Sequence, residues 1–181
     1  MSPKEKQKSI FTKAIHAGED RARYADSITT PIVQSSTYFF KDSKEIESYT
    51  KNAKKRYEYG RYGNPTEIVA QQRLMVLNSA EDALVFSSGM MAITTTILAL
   101  VESGDHIVIT DDCYGRTLEF CRTYLKRFGI ECTIVPFGDY DLLDASVKEN
   151  TRFIFSESPT NPYLNVFDMV KFRHIGDKHN V

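Results

Sequence analysis

Four short stretches of the chain gather residue types that bind or react. Ser87-Ser88-Gly89-Met90 follows an apolar run and opens a helical pattern. Backbone N–H groups at such a junction lack partners inside the helix and lie at the positive end of its dipole, a setting suited to a phosphate. A tight turn in which Gly89 permits close packing is the competing reading. No G-x-G-x-x-G or P-loop pattern occurs. Tyr57-Glu58-Tyr59-Gly60-Arg61-Tyr62-Gly63-Asn64-Pro65-Thr66 places tyrosines, an arginine and glycines just ahead of a helix. Arg61 suits forked recognition of phosphate or carboxylate, and Tyr59 lies beside it. Lys51, Lys54, Lys55 and Arg56 precede them and read as a solvated helix end.

Asp111-Asp112-Cys113-Tyr114-Gly115 ends a β-branched run. Ligands of open α/β sheets bind at the carboxyl ends of strands, and Tyr114 there offers an aromatic face to a planar ligand. Alternatively Asp111 or Asp112 caps the next helix and Tyr114 packs on it. Glu157-Ser158-Pro159-Thr160-Asn161-Pro162 follows another apolar run. Its prolines stiffen the amide of Asn161, which can donate to or accept from a ligand oxygen; an ordinary Pro-rich turn is the alternative. All four stretches fall at borders of successive strand–helix units.

These units must position the stretches. Residues 1–62 show little periodicity and read as an arm, with a short helix over Phe11–Ala17 ended by Gly18. An extended stretch Ile32–Phe40 follows Pro31. A helix begins at Asp42, with Glu45 three residues on, and reaches about Ala53. From residue 63 helices and strands alternate. Asn64-Pro65 starts a helix to about Asn78. Ala83–Ser87 reads as a strand, Ser88–Leu100 as a helix, His106–Thr110 as a strand, and Gly115–Phe128 as a helix closed by Gly129. Ile130–Val135, Tyr140–Glu149, Arg152–Ser156 and Phe167–Lys178 continue as strand, helix, strand and helix. This alternation predicts an α/β fold with a mainly parallel sheet and helices on both faces.

The composition sets outer limits. The chain has 181 residues, 41% hydrophobic and 26% charged, with a net charge of −1. That charge disfavours nucleic acid as a partner, and no apolar run approaches the ~20 residues of a membrane span. Residues 1–9 have neither the apolar core of a signal peptide nor transit-peptide character. Cys113, Cys121 and Cys132 form no C-x-x-C pair, and His16, His106, His174 and His179 show no metal-ligand spacing, so no metal is expected. Reduced thiols and a cytoplasmic location fit best.

Taken in order, Y-G-R-Y-G-N-P-T, S-S-G-M, D-C-Y and S-P-T-N-P resemble the Cys/Met-metabolism family of pyridoxal-phosphate (PLP) enzymes, aspartate-aminotransferase-like in fold. The resemblance runs from Ala14-Ile15-His16-Ala17-Gly18 to Pro162. The segments 57–66 and 155–162 are most similar to cystathionine γ-synthases of the plant type. The resemblance implies that Gly89 and Met90 hold the PLP phosphate through their N–H groups, that Tyr114 stacks on the ring, and that Asn161 lies beside its phenolic oxygen. It also implies that Tyr59 and Arg61 reach the cofactor phosphate of a neighbouring subunit, within a homotetramer. Residues 1–62 would then be an arm serving that neighbour, and 63–181 an incomplete PLP-binding domain. The implied activity replaces the γ-substituent of an activated homoserine ester with cysteine to give cystathionine, in methionine biosynthesis; γ-lyase and sulfhydrylase reactions are the family's alternatives.

The sequence departs from the family pattern in one respect. The family's Schiff-base lysine, the acid at the ring nitrogen and the substrate-binding arginine have no counterpart among residues 1–181. Ser48-Tyr49-Thr50-Lys51 spells a similar motif but lies in the arm. The expectation is therefore a truncated, catalytically incomplete large domain. A non-catalytic half-domain that binds a partner is the alternative.

Overall fold

The computed structural model describes residues 9–19, 22–51 and 56–181. The chain divides into two compact units between Val85 and Phe86, beyond the change of composition at residue 62.

In the first unit, helix α1 (Ile10–His16) starts where the Ser9 hydroxyl accepts the Thr12 N–H. Helix α2 (Ser43–Thr50) is capped by Asp42, which accepts the Glu45 N–H at 2.9 Å, while Glu45 reaches back to the Lys41 N–H at 2.8 Å. The expected extension to Ala53 runs into positions outside the described residues. Helix α3 (Pro65–Leu77) begins as the Asn-Pro pair dictates, with Asn64 Oδ1 accepting the Thr66 N–H at 2.8 Å. The Asn64 amide also donates to Val33 O at 2.8 Å, and the Thr66 hydroxyl accepts the Val33 N–H at 2.9 Å. Local capping residues thus fasten the extended stretch to the helix start. Helix α1 packs on α3, and Glu19 clamps this pairing by accepting from Arg23 at 2.8 Å and Arg73 at 2.7 Å.

The second unit is built on three parallel strands in the order β2-β1-β3, namely β1 (His106–Thr110), β2 (Glu131–Val135) and β3 (Thr151–Phe155). Alternation along the strands sorts side chains onto two faces. Ile107 and Ile109, with Cys132, Ile134, Phe153 and Phe155, meet α4 (Gly89–Leu100) and α5 (residues 115–128) through Ile97, Val101, Cys121 and Leu125. Val108, Val135 and Ile154 face the opposite way, onto Leu143 of α6 (Tyr140–Ala145) and Phe172 and Ile175 of α7 (Met169–His179). The central strand is buried along its whole length because it is paired on both sides and covered on both faces. The expected α/β architecture is therefore present.

Helix α5 starts as an α-helix (Gly115–Glu119), widens into a π-type turn (Phe120–Tyr124) and tightens to a 3-10 turn (Leu125–Phe128). Residues four apart drift round an ideal helix. The wide turn removes that drift, so Thr117, Cys121 and Leu125 all face the core. Gly129 closes the helix at φ 74°, the left-handed role expected of it.

Several expectations need correction. Ala83–Ser87 is not a strand: among the described residues it joins no ladder, and Leu84 is exposed. A strand exists only through its neighbour's hydrogen bonds, which composition cannot supply. Helix α6 ends at Ala145, short of Glu149; Asp139 caps it, its Oδ1 accepting the Leu142 N–H at 2.9 Å. Helix α7 starts two residues later than Phe167 because Asp168 caps it, accepting from Val170 and Lys171. Among the described residues, no helix is long and apolar enough to cross a membrane.

Candidate functional site

The carboxyl ends of β1 and β3 lie side by side, since Ile109 pairs with Phe155. Just beyond that pair the Thr110 and Ser156 hydroxyls meet at 2.9 Å. Two of the four sequence stretches leave from this edge. From β1, Asp111 turns its carboxylate to the Phe137 N–H at 2.8 Å. Asp112 is buried, and its Oδ2 accepts from the Asn165 amide at 2.8 Å, while its Oδ1 has no partner among the described residues. Neither aspartate caps α5; Tyr114 occupies the cap position, with no side-chain capping bond. The residue is 43% exposed, and its N–H donates to Glu157 Oε2 at 3.0 Å. From β3 comes the loop carrying Asn161, which is exposed and follows the fully buried Thr160.

The Ser88-Gly89-Met90 stretch joins the same neighbourhood. Ser88 caps α4, its hydroxyl accepting the Met91 N–H at 3.1 Å and its carbonyl accepting the Ala92 N–H. Gly89 and Met90 are the first two residues of the helix, so their N–H groups have no acceptor within it. A Cβ built on Gly89 would meet nothing within 4 Å, so the backbone is uncrowded on that side of the helix start. The Met90 sulfur accepts from the Thr117 hydroxyl at 3.7 Å, which brings the start of α4 against the first turn of α5, the turn that Tyr114 begins. The structure therefore gathers Gly89, Met90, Tyr114 and the Asn161 loop within one unit.

Tyr59 and Arg61 belong to the first unit. Tyr59 pairs antiparallel with Thr37, and Gly60 donates to Ser36 O at 2.7 Å. The Arg61 guanidinium lies 5.1 Å from the centre of the Tyr59 ring, and Tyr62 meets that ring edge-on at 5.9 Å. Arg61 is exposed and Tyr59 half-buried. The reading of Arg56 as part of a solvated helix end is corrected. Its side chain is 18% exposed, pairs with Glu45 at 2.7 Å and lies 4.2 Å over the Phe40 ring. Lys51 is the solvated residue, paired on the surface with Glu47, and Lys54 and Lys55 lie outside the described residues.

The electrostatics separate anchoring groups from reactive ones. Burial pushes the Cys113 thiol up to about 11, so it remains protonated and inert beside Tyr114. A hydrogen bond with Cys132, and then burial, push Cys121 up, while the same bond lowers Cys132. All three thiols are unpaired with one another as disulfides. Among the described residues no group of three His, Cys, Asp or Glu side chains is placed to hold a metal. Sequence reasoning left Glu157 without a role and passed over Asn165. Both act through partners more than 40 positions away, so no local pattern announces them.

Residues 11–181 match the family described as Cys/Met metabolism PLP-dependent enzyme. The chain belongs to this PLP-dependent family. Similar proteins include cystathionine γ-synthase 1, chloroplastic, of Arabidopsis thaliana, 44% identical over 158 residues, which covers 86% of this chain and 28% of that protein. L-Methionine γ-lyase of Treponema denticola is 35% identical over 181 residues, covering 99% of this chain and 45% of that protein. Among solved structures, MetB of Corynebacterium glutamicum superposes with a TM-score of 0.85 at 34% identity, covering 97% of this chain and 44% of that one. A MetY structure from Campylobacter jejuni, which carries N'-pyridoxyl-lysine-5'-monophosphate, gives a TM-score of 0.88 at 30% identity, covering 97% and 43%. The chain thus spans less than half the length of each of these relatives.

PLP, the cofactor of this family, carries a phosphate and a planar ring, and the residues present fit both. The open N-terminus of α4 supplies two uncommitted N–H donors of the right polarity. The exposed ring of Tyr114 supplies an apolar face close by.

Proposed function

We propose that this chain forms the cofactor-holding part of a trans-sulfuration enzyme that replaces the γ-substituent of an activated homoserine ester with the thiol of cysteine, giving cystathionine. The observation that carries the reading is the pair of N–H groups at Gly89 and Met90, without acceptors inside their helix, at a helix start held against the turn begun by Tyr114. The similarity to cystathionine γ-synthases supports the choice of reaction. The γ-lyase reading, elimination without a thiol acceptor, is the second one, because methionine γ-lyase similarity extends over 99% of the chain.

When bound, PLP supplies an electron sink that lets bonds at the substrate's α and γ carbons break. The chain's own residues do the holding. Gly89 and Met90 donate to the phosphate, where the helix dipole adds to the attraction. Tyr114 covers one face of the ring and excludes water from it. Asn161 donates its amide to the ring's phenolic oxygen. Tyr59 and Arg61 serve the phosphate of a neighbouring subunit in a homotetramer; the exposed Phe11, Tyr24, Ile28 and Phe39 of the first unit support such an association. A cytoplasmic setting, with unpaired thiols, belongs to the same proposal.

None of the loops at the sheet edge, residues 111–114 and 156–168, contains a lysine, and PLP chemistry needs one. Residues 1–181 alone are therefore expected to make no cystathionine. The binding half of the proposal is tested by titrating the chain with 4′-deoxypyridoxine 5′-phosphate, which has the ring and phosphate but no aldehyde. Saturable binding displaced by PLP supports it, and no binding refutes it. The reaction is tested in a protein that joins these residues to a Schiff-base lysine, given an O-acyl or O-phospho homoserine and cysteine. Cystathionine supports γ-replacement, whereas a 2-oxo acid formed equally well without cysteine supports the lyase reading.

A further inference from the structure

We propose that Glu157 and Asp112 are reciprocal positioning residues. Each stands at the end of one strand, and its carboxylate holds the ring-contacting loop of the other strand. The inference rests on the reading of Tyr114 and Asn161 as ring-contacting residues and adds what sets their separation.

Glu157 follows β3, yet its Oε2 accepts the backbone N–H of Tyr114, which follows β1, at 3.0 Å. The carbonyl of Tyr114 is committed on the other side, accepting from Thr117 at 2.8 Å and Leu118 at 3.2 Å. Both peptide groups flanking the Tyr114 Cα are therefore tied, one to the helix it begins and one across the sheet edge. Because the tie is to the backbone, it does not occupy the side chain, and the residue remains exposed.

Asp112 performs the converse task. It follows β1, and its Oδ2 accepts the Asn165 amide of the β3 loop at 2.8 Å. Asn165 closes a small ring onto Thr160: its N–H donates to the Thr160 hydroxyl at 2.9 Å, and its carbonyl accepts the Thr160 N–H at 2.9 Å. The Thr160 carbonyl also accepts from Leu164 at 3.0 Å. Thr160 is buried at 1% exposure and immediately precedes Asn161. Asp112 thus reaches the backbone of Asn161 through Asn165 and Thr160, without touching Asn161 itself.

Loops leaving a sheet edge are more mobile than the strands that carry them. Hydrogen bonds to a charged acceptor are short and strong, and here they cross in opposite directions. The crossed pair fixes the distance between the stacking ring and the amide, the dimension that a planar ligand must match. Neither carboxylate contacts the ligand in this arrangement.

The test uses the full chain and two probes, 4′-deoxypyridoxine 5′-phosphate and inorganic phosphate, titrated by calorimetry, with circular dichroism reporting the fold. Glu157→Ala should weaken the ring compound about tenfold, the order of one charged hydrogen bond, and leave inorganic phosphate unchanged. Glu157→Gln retains an acceptor and should restore most of that loss. Tyr114→Ala should produce a similar ring-specific loss, and the double variant Tyr114→Ala with Glu157→Ala should be no weaker than Tyr114→Ala alone. Asn165→Ala should repeat the ring-specific loss through the other arm. As an independent signature, the Tyr114 amide should exchange with solvent more slowly in the parent than in Glu157→Ala.

If Tyr114→Ala weakens the ring compound but Glu157→Ala and Asn165→Ala do not, the stacking reading stands and the brace is overturned. If Tyr114→Ala changes nothing, the stacking reading fails and takes the brace with it. Equal losses for both probes also overturn the brace, since they report damage to the phosphate end.

Discussion

His106 and Thr151 meet at 2.7 Å between imidazole Nδ1 and hydroxyl, fully buried where the central strand begins. The other ring nitrogen meets the Thr133 hydroxyl at 2.8 Å, so one histidine ties β1 to both neighbours. With a hydroxyl at each nitrogen, which can donate or accept, a neutral imidazole satisfies both bonds whichever tautomer it adopts. Replacing it by Ala removes both ties and leaves a cavity. His106→Ala should cost about 2–4 kcal/mol, read as a lower urea midpoint with an unchanged slope.

The same histidine makes stability depend on pH. Burial lowers its pKa from the ordinary 6.5, reinforced by Lys148 and opposed by Glu131. The unfolded chain takes up the proton below 6.5, while the folded chain does so only at lower pH. Stability is therefore full above 6.5 and is lost as pH falls from 6.5 through the depressed folded value. Urea midpoints measured between pH 7.5 and 5 should fall in the parent, and His106→Gln should flatten that fall. An unchanged slope in the variant would place the dependence elsewhere.

Gly89→Pro isolates one phosphate donor. Proline is accepted at the first position of a helix, and Ser88 already has the extended backbone (φ −156°, ψ 157°) that a residue before proline prefers. The helix should form with little change in thermal stability. The lost N–H should weaken 4′-deoxypyridoxine 5′-phosphate roughly tenfold or more. Retention of full affinity would remove Gly89 from the phosphate contacts.

Gly129 tests the closure of α5. Its φ of 74° disfavours any Cβ, and a Cβ built there collides with the Ser103 hydroxyl. Gly129→Ala should destabilise by about 1–3 kcal/mol. Adding Ser103→Gly should recover the part due to the collision but leave the backbone strain, a separation that thermal melts of the three variants can resolve.

The thiols should react in a fixed order. Cys132 is half-buried and lowered by its bond from Cys121, whereas Cys121 and Cys113 are buried and raised. Iodoacetamide at pH 8 should label Cys132 first and Cys113 slowly, by peptide mass mapping. First labelling at Cys113 would contradict the protonated state assigned to it.

Much of the fold was legible because its signals are local. Asp42 with Glu45, Asn64 with Pro65, and Gly129 each act within one helical turn, and each does in the structure what its type and spacing suggested. The end of α6 was less legible: the helix stops at Ala145, whereas the expected run reached Glu149. Arg56 was misread because its partners, Glu45 of α2 and Phe40 before it, lie too far back along the chain for a local pattern to pair them.

The sequence by itself determined most of the alternation of strands and helices, the helix signals at Asp42, Asn64 and Gly129, and the family. Those follow from side-chain chemistry over a few neighbouring positions. Only the tertiary structure decided that Ala83–Ser87 makes no ladder, that His106 ties three strands, and that Glu157 and Asp112 cross to hold each other's loops. Each depends on groups more than 25 residues apart or on a pairing partner. Hydrogen bonds across that separation exist only after parallel strands have set their ends side by side.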